Sequence, residues 1–169
     1  MGRDQSQQNS IGLSGGGGAG SSLCDFHMKL YRAFHAQRAC LRPFATHLGL
    51  GSGQPKLLSY IAAHGSCTQR ELAEFFEIDP AAVSRMLDLL EKEDFISCRP
   101  ATDRRTKVTE LTDRGQAAII LWDERCAEVE VAMLDGFTPE ERELFGSYLE
   151  RARANMRKLA SKKRGSSDE

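Results

Sequence analysis

Residues 68–111 read TQRELAEFFEIDPAAVSRMLDLLEKEDFISCRPATDRRTKVTEL, and the fold turns on them. Thr68-Gln69-Arg70-Glu71 is a Thr-x-x-Glu capping box. In such a box the threonine oxygen and the glutamate carboxylate satisfy backbone N–H groups left free at a helix start. It opens a short helix with Leu72, Phe75 and Phe76 on its apolar side. Phe76-Glu77-Ile78 is a turn. Asp79 suits an N-cap, and Pro80 suits the first helical position, where a missing N–H costs little. The second helix turns Val83, Met86, Leu87 and Leu90 inward and ends near Glu93. After it the apolar period shortens. Residues 95–99 and 107–111 are β-like runs around a polar turn. A helix-turn-helix leading straight into a hairpin is a winged helix. The expected class is therefore mainly α with a small β-hairpin wing.

The exposed side of the second helix suits a DNA groove. Asp79, Pro80, Ala81 and Ala82 are small or capping residues that let the helix N-terminus sit close to a phosphate backbone. Ser84 and Arg85 come next on the outer side, within reach of base edges or phosphates. Thr68 and Gln69 are assigned to the same face. The hairpin adds Arg99, Arg104, Arg105 and Lys107 against one nearby acid, Asp103. Asp103 and Arg105 fall on one side of an extended strand, so the carboxylate can orient the guanidinium. Arg105 is thus expected to enter a minor groove, and Arg104, on the opposite side, to hold phosphate. A solvated charged turn is the plain alternative for the hairpin. A protein-packing module without DNA contact is the plain alternative for the whole unit.

Outward from this core the chain reads as helix. Leu23, Phe26, Leu30, Phe34, Leu41, Phe44 and Leu48 form one stripe of a long helix. Pro43 is expected to kink it or split off its last turn. A helix over 54–64 follows, with Leu57, Leu58 and Ile61 apolar. From Thr112 toward Asp135 two apolar stripes run together: Ile119, Trp122, Cys126, Val129 and Met133, then Ile120, Ala127, Val131 and Leu134. Two stripes imply burial on two sides. Thr138-Pro139-Glu140-Glu141 is a further capping box. It opens a helix carrying Leu144, Phe145, Tyr148, Leu149, Ala152, Met156 and Leu159. The basic run Arg151, Arg153, Arg157, Lys158, Lys162, Lys163 and Arg164 reads as its solvated outer face, where cations suit the helix dipole, with added nonspecific attraction to DNA as the alternative. Residues 1–22 are rich in Gly and Ser and read as a disordered tail, and 166–169 as a flexible end.

The chain has 169 residues and a formal net charge of −1, so its basic patches are local rather than a uniform coat. No apolar run approaches the roughly 18 residues of a membrane span, and the polar start lacks a signal-peptide core. A cytoplasmic protein is expected, with its five cysteines reduced. None of Cys24, Cys40, Cys67, Cys98 and Cys126 forms a C-x-x-C pair. The glycines at 15–18 lack the Gly-Lys-Ser/Thr of a phosphate loop. Cys24 and His27 share a helix face with His35 two turns on, which holds a metal only with help from another helix. No catalytic centre, metal or cofactor is expected.

LGLGSGQPKLLSYI, TQRELAEFFEIDPAAVSRMLDLLEKEDFISCRP and ATDRRTKVTELTDRG together resemble the MarR-type winged-helix transcriptional regulators. Asp103, Arg105, Leu111-Thr112 and Gly115 are the most specific part. The sequence departs at Gly51, where such proteins often carry a Thr cap before the second helix. The resemblance implies a DNA-binding lobe over about 50–112 in a domain spanning 23–165. It implies a homodimer clamped through helices 23–48 and 112–160. It also implies a pseudo-palindromic double-stranded operator, with repression relieved by a small ligand or by cysteine oxidation. An aromatic or phenolic effector would sit among Tyr31, Phe34, His35, Tyr60, Ile61 and Trp122, which otherwise read as core. Cys24 is the candidate redox cysteine, because a helix start lowers a thiol pKa; Asp25 beside it opposes the thiolate.

Overall fold

The computed structural model describes residues 20–100 and 107–165. The elements run α1 (Gly20–His47), α2 (Gln54–His64), β1 (Cys67–Thr68), α3 (Gln69–Phe76), α4 (Pro80–Lys92), β2 (Ile96–Pro100), β3 (Lys107–Leu111), α5 (Asp113–Met133) and α6 (Pro139–Gly165). This is the winged-helix order that the sequence predicts. Three boundaries differ. The first helix begins at Gly20, inside the stretch read as tail, and it runs through Pro43 without ending there. The last helix runs past 160 to Gly165. A short strand, β1, precedes α3 and makes the wing a three-stranded sheet.

That sheet is antiparallel, in the order β1-β3-β2. Cys67 pairs with Thr109 and Thr68 with Val108. Across the hairpin, Ile96 pairs with Leu111 and Cys98 with Thr109. The central strand buries Thr109, whose hydroxyl lies 3.6 Å from the Cys98 sulfur.

Two compact units divide the chain, Met1–Ala36 and Gln37–Glu169. In the first, α1 exposes Phe26, Met28, Leu30, Tyr31 and Phe34. Within it His35 packs against Tyr31 at a tilt, with ring centroids 4.2 Å apart, and meets Phe34 edge-on. The second unit holds the core. Leu57, Leu58 and Ile61 of α2, Leu72 of α3, Val83 and Leu90 of α4, Phe95, Ile96 of β2 and Ile119 of α5 are fully buried there. Each contributes about 1.5–3 kcal/mol relative to exposure. Gln54 is also buried; its Oε1 accepts a 2.5 Å hydrogen bond from the Gly51 N–H. The cap of α2 is Gly53 rather than Gly51: its φ of +83° is one that side-chain-bearing residues rarely adopt. Among the described residues no helix is long and apolar enough to cross a membrane.

Candidate nucleic-acid interface

Both expected caps form. Thr68 Oγ1 accepts from the Glu71 N–H at 3.2 Å, and Glu71 Oε2 accepts from the Thr68 N–H at 2.6 Å. The Thr68 N–H, then its hydroxyl, hold the Glu71 carboxyl below its ordinary range. A depressed carboxyl stabilises the fold above its ordinary pKa, and that contribution is lost as the pH falls through the folded value. We therefore expect Glu71→Gln to lower the thermal midpoint at neutral pH. The gap to the native chain should close as the pH drops below 4.5. A gap that widens in acid refutes this role for Glu71. Thr68→Ala, which removes the other half of the box, should cost about 1 kcal/mol.

At the next helix Asp79 Oδ2 accepts from the Ala82 N–H at 3.0 Å, with Pro80 at the first position. Gln69 Nε2 donates to the Pro80 carbonyl at 2.9 Å and ties the start of α3 to the start of α4. Thr68 and Gln69 thus sit beside the N-terminus of α4, each already holding a local partner. Val83, Leu87 and Leu90 are buried, while Ala81 and Arg85 are exposed and Ala82 and Ser84 half-buried. Helical periodicity therefore leaves Pro80, Ala81, Ser84 and Arg85 on the open side of α4.

The wing divides in two. Arg99 on β2 donates through Nε to Glu110 Oε2 on β3 at 2.9 Å, and its Nη2 bonds Glu110 Oε1. This hydrogen-bonded pair holds Glu110 low and Arg99 high. Much of the Arg99 charge is therefore spent inside the wing. Its pairing with Val108 sets it diagonally across from Glu110, a relation visible only once the register is known. Lys107, opposite Pro100, is exposed. Asp103, Arg104 and Arg105 lie outside the described residues.

A groove of about 1370 Å³ runs beside this face. Thr68, Gln69, Arg70, Pro80 and Lys107 line one side, and Arg157, Ala160 and Ser161 of α6 the other. At its edge Glu77 adopts φ +56° as the C-cap of α3 and forms ion pairs with Arg157, whose Nε lies 2.9 Å from its carboxylate, and with Arg153, whose Nη2 lies 3.3 Å away. The basic run of α6 is thus not only a solvated face: two of its arginines reach the helix-turn-helix. Nothing in the spacing signalled that contact.

The residues assigned to an effector divide between the units. Tyr31, Phe34 and His35 are exposed on the first. In the second Ile61 is buried and Trp122 half-buried. Tyr60 joins an aromatic cluster there, with ring centroids 4.0 Å from His64 and 4.6 Å from Phe75. A second cleft, of about 590 Å³, is lined by Cys40, Phe44, His47, Leu121 and Arg125. Burial pushes the Cys67 thiol up to about 11 and raises those of Cys98 and Cys126. The side chain of Cys24 lies outside the described residues. Among the described residues no three His, Cys, Asp or Glu side chains gather as a metal site.

A MarR-family profile matches residues 50–107. The Bacillus subtilis HTH-type transcriptional regulator YybA is 33% identical over 112 residues, which cover 64% of this chain and 73% of that protein. Matches to two other Bacillus regulators span under two thirds of their length, 65% and 61%. Among solved structures, the transcriptional regulator PA3341 is 32% identical with a TM-score of 0.68, covering 79% of this chain and 98% of that one. A cysteine-to-serine mutant of MarR from E. coli, complexed with operator DNA, has a TM-score of 0.71. It is 18% identical, with 80% of this chain and 98% of that one covered, and shares the fold.

Proposed function

The chain belongs to the MarR family, and from that membership we propose that it is a homodimeric, sequence-specific DNA-binding transcriptional regulator, a repressor released by a small aromatic effector. One observation carries the DNA reading. The start of α4 is open to solvent at Pro80, Ala81 and Arg85, with Ser84 half-buried beside them, while the opposite side of the same helix is anchored in the core. A helix held rigidly from behind and small in front suits a major groove. The operator complex of E. coli MarR supports this reading through the shared fold. Dimerisation is supported by the apolar residues that α5 and α6 leave exposed, among them Val131, Leu144, Tyr148, Leu149 and Leu159.

A gel shift with duplex DNA from the region upstream of the chain's own coding sequence tests the proposal. Binding should weaken steeply as salt is raised, because each neutralised phosphate releases counterions. Arg85→Ala should cost about 1–3 kcal/mol at the cognate site and much less on unrelated DNA. Effector action would appear in the same assay as loss of the shift on adding an aromatic acid. A chain that shifts no duplex at low salt is a winged-helix protein-interaction module instead.

A further inference from the structure

Three cations and two carboxylates line the groove between the helix-turn-helix and α6: Arg70, Lys107 and Arg157 against Glu74 and Glu77. Arg70 is spent on Glu74 at 2.7 Å within α3. Arg157 meets Glu77 through Nε at 2.9 Å, and among the described residues no acceptor is paired with its two Nη groups. Those groups belong to a side chain that lines the groove together with Gln69, Pro80 and Lys107. Arg153 is divided between Glu77 at 3.3 Å and Glu150 at 3.2 Å. One helical turn beyond Arg157, Ala160 and Ser161 complete the wall. Both are small, so a polymer backbone can come close to the helix there. In sequence α6 continues as Lys162-Lys163-Arg164 before it ends at Gly165.

We infer that the C-terminal half of α6 is a second DNA-contact element, in which Arg157 exchanges Glu77 for a phosphate of the duplex that α4 reads. This rests on the DNA-binding reading above. The ligand class follows from the chemistry. A guanidinium suits a phosphate oxygen, and the facing wall is made of two helix starts and a wing lysine that suit the same backbone. The exchange is inexpensive. Glu77, Arg153 and Arg157 are each about half exposed, and exposed ion pairs are weak and screened by salt. Glu77 thereby becomes a competitor of DNA. It holds the guanidinium beside the groove while DNA is absent and opposes its transfer to phosphate. The contact is to backbone, so it adds affinity without sequence preference.

Titration of the full-length protein with a mixed-sequence DNA duplex across a salt series tests this. Arg157→Gln should weaken binding several-fold at low salt and reduce the salt slope by about 0.9 per chain. Arg157→Lys should keep the slope. Glu77→Gln should strengthen binding several-fold, because the arginine no longer has a carboxylate partner. If the pair served only to fasten α6, Glu77→Gln would weaken binding instead, as loosening α6 disturbs the lobe. An unchanged slope in Arg157→Gln, or weaker binding in Glu77→Gln, overturns the inference while leaving the DNA-binding reading intact. A native chain that fails to bind the duplex at all overturns both.

Discussion

Gly115→Ala should destabilise the fold strongly. Gly115 lies in the first turn of α5 and is buried. A Cβ built there would stand 2.0 Å from the Phe95 carbonyl oxygen and 3.0 Å from its carbon. Neither atom can yield. The Phe95 carbonyl accepts the Thr112 N–H at 3.2 Å. Thr112 in turn caps α5 by accepting from the Gly115 N–H at 3.1 Å, and its hydroxyl donates to the Asp94 carbonyl at 2.5 Å. Arg114 closes the same corner, donating to the Glu93 carbonyl with its guanidinium 4.3 Å from the centre of the Phe95 ring. Phe95 is itself 1% exposed, so a methyl at Gly115 must push a core backbone segment rather than a flexible tip. Overpacking against a fixed backbone atom costs about 3 kcal/mol, the upper end of the usual range. For a domain of this size that is a fall of about 6–12 °C in melting temperature. Gly146→Ala is the matched comparison. Within α6 its Cβ would meet nothing within 4 Å, and alanine favours helix over glycine by up to about 1 kcal/mol. Melting curves should thus move in opposite directions for the two substitutions. Equal midpoints for Gly115→Ala and the native chain would show that the corner opens freely.

The same corner shows what the sequence does and does not reveal. Local signals were readable because both partners lie within a few residues. Thr68 with Glu71, Asp79 with Ala82, and Thr138 with Glu141 all form the bonds their spacing predicts. The inner face of α4 was readable for a related reason: Val83, Leu87 and Leu90 repeat at the helical period, and all three are buried. Gly115 stood out as part of a family pattern, but its reason lies in a carbonyl twenty residues earlier. The strand β1 was missed because two residues carry no period, and their pairing with Val108 and Thr109 is set by the wing. The sequence pointed to Gly51 as the cap of α2, and the backbone places the cap two residues on, at Gly53. Arg99 read as a free cation because its partner Glu110 sits across a hairpin whose register is not written in either strand. The reach of Arg153 and Arg157 to Glu77 lies further still from local inference, since it depends on where the whole of α6 is carried. Residues 101–106, where the wing arginines with the sharpest assigned roles stand, keep those roles as expectations.

Leu149→Arg should break the proposed dimer and remove most DNA affinity with it. The exposed apolar residues of α5 and α6 are too many for a free surface. Ile120, Leu121, Val131 and Met133 of α5 are 45–67% exposed, and Leu144, Phe145, Tyr148, Leu149, Met156 and Leu159 of α6 are 37–61% exposed. Those of α6 repeat at helical spacing along one stripe, and an exposed apolar stripe of this kind suits the proposed interface. In a two-fold interface one substitution acts twice, once from each chain. An arginine at a central apolar position costs at least about 1.4 kcal/mol per copy, so the dissociation constant of the dimer should rise by about a hundredfold or more. The lobe should stay folded, because Leu149 is 44% exposed while the core of Leu57, Leu58, Phe95 and Ile119 is shut. The thermal midpoint of the monomer can therefore confirm that folding survives. DNA binding should not survive at the same strength. Two half-sites engaged by one dimer gain about 10²–10⁴ from effective concentration, and a lone lobe forfeits that gain. Sedimentation of the native chain and the variant at micromolar concentration, beside a titration on one operator duplex, reads both effects. If Leu149→Arg remains a dimer, the interface lies elsewhere. If it is a monomer that binds the full operator as tightly as before, the two-headed mode of recognition is wrong and a single winged lobe carries the affinity.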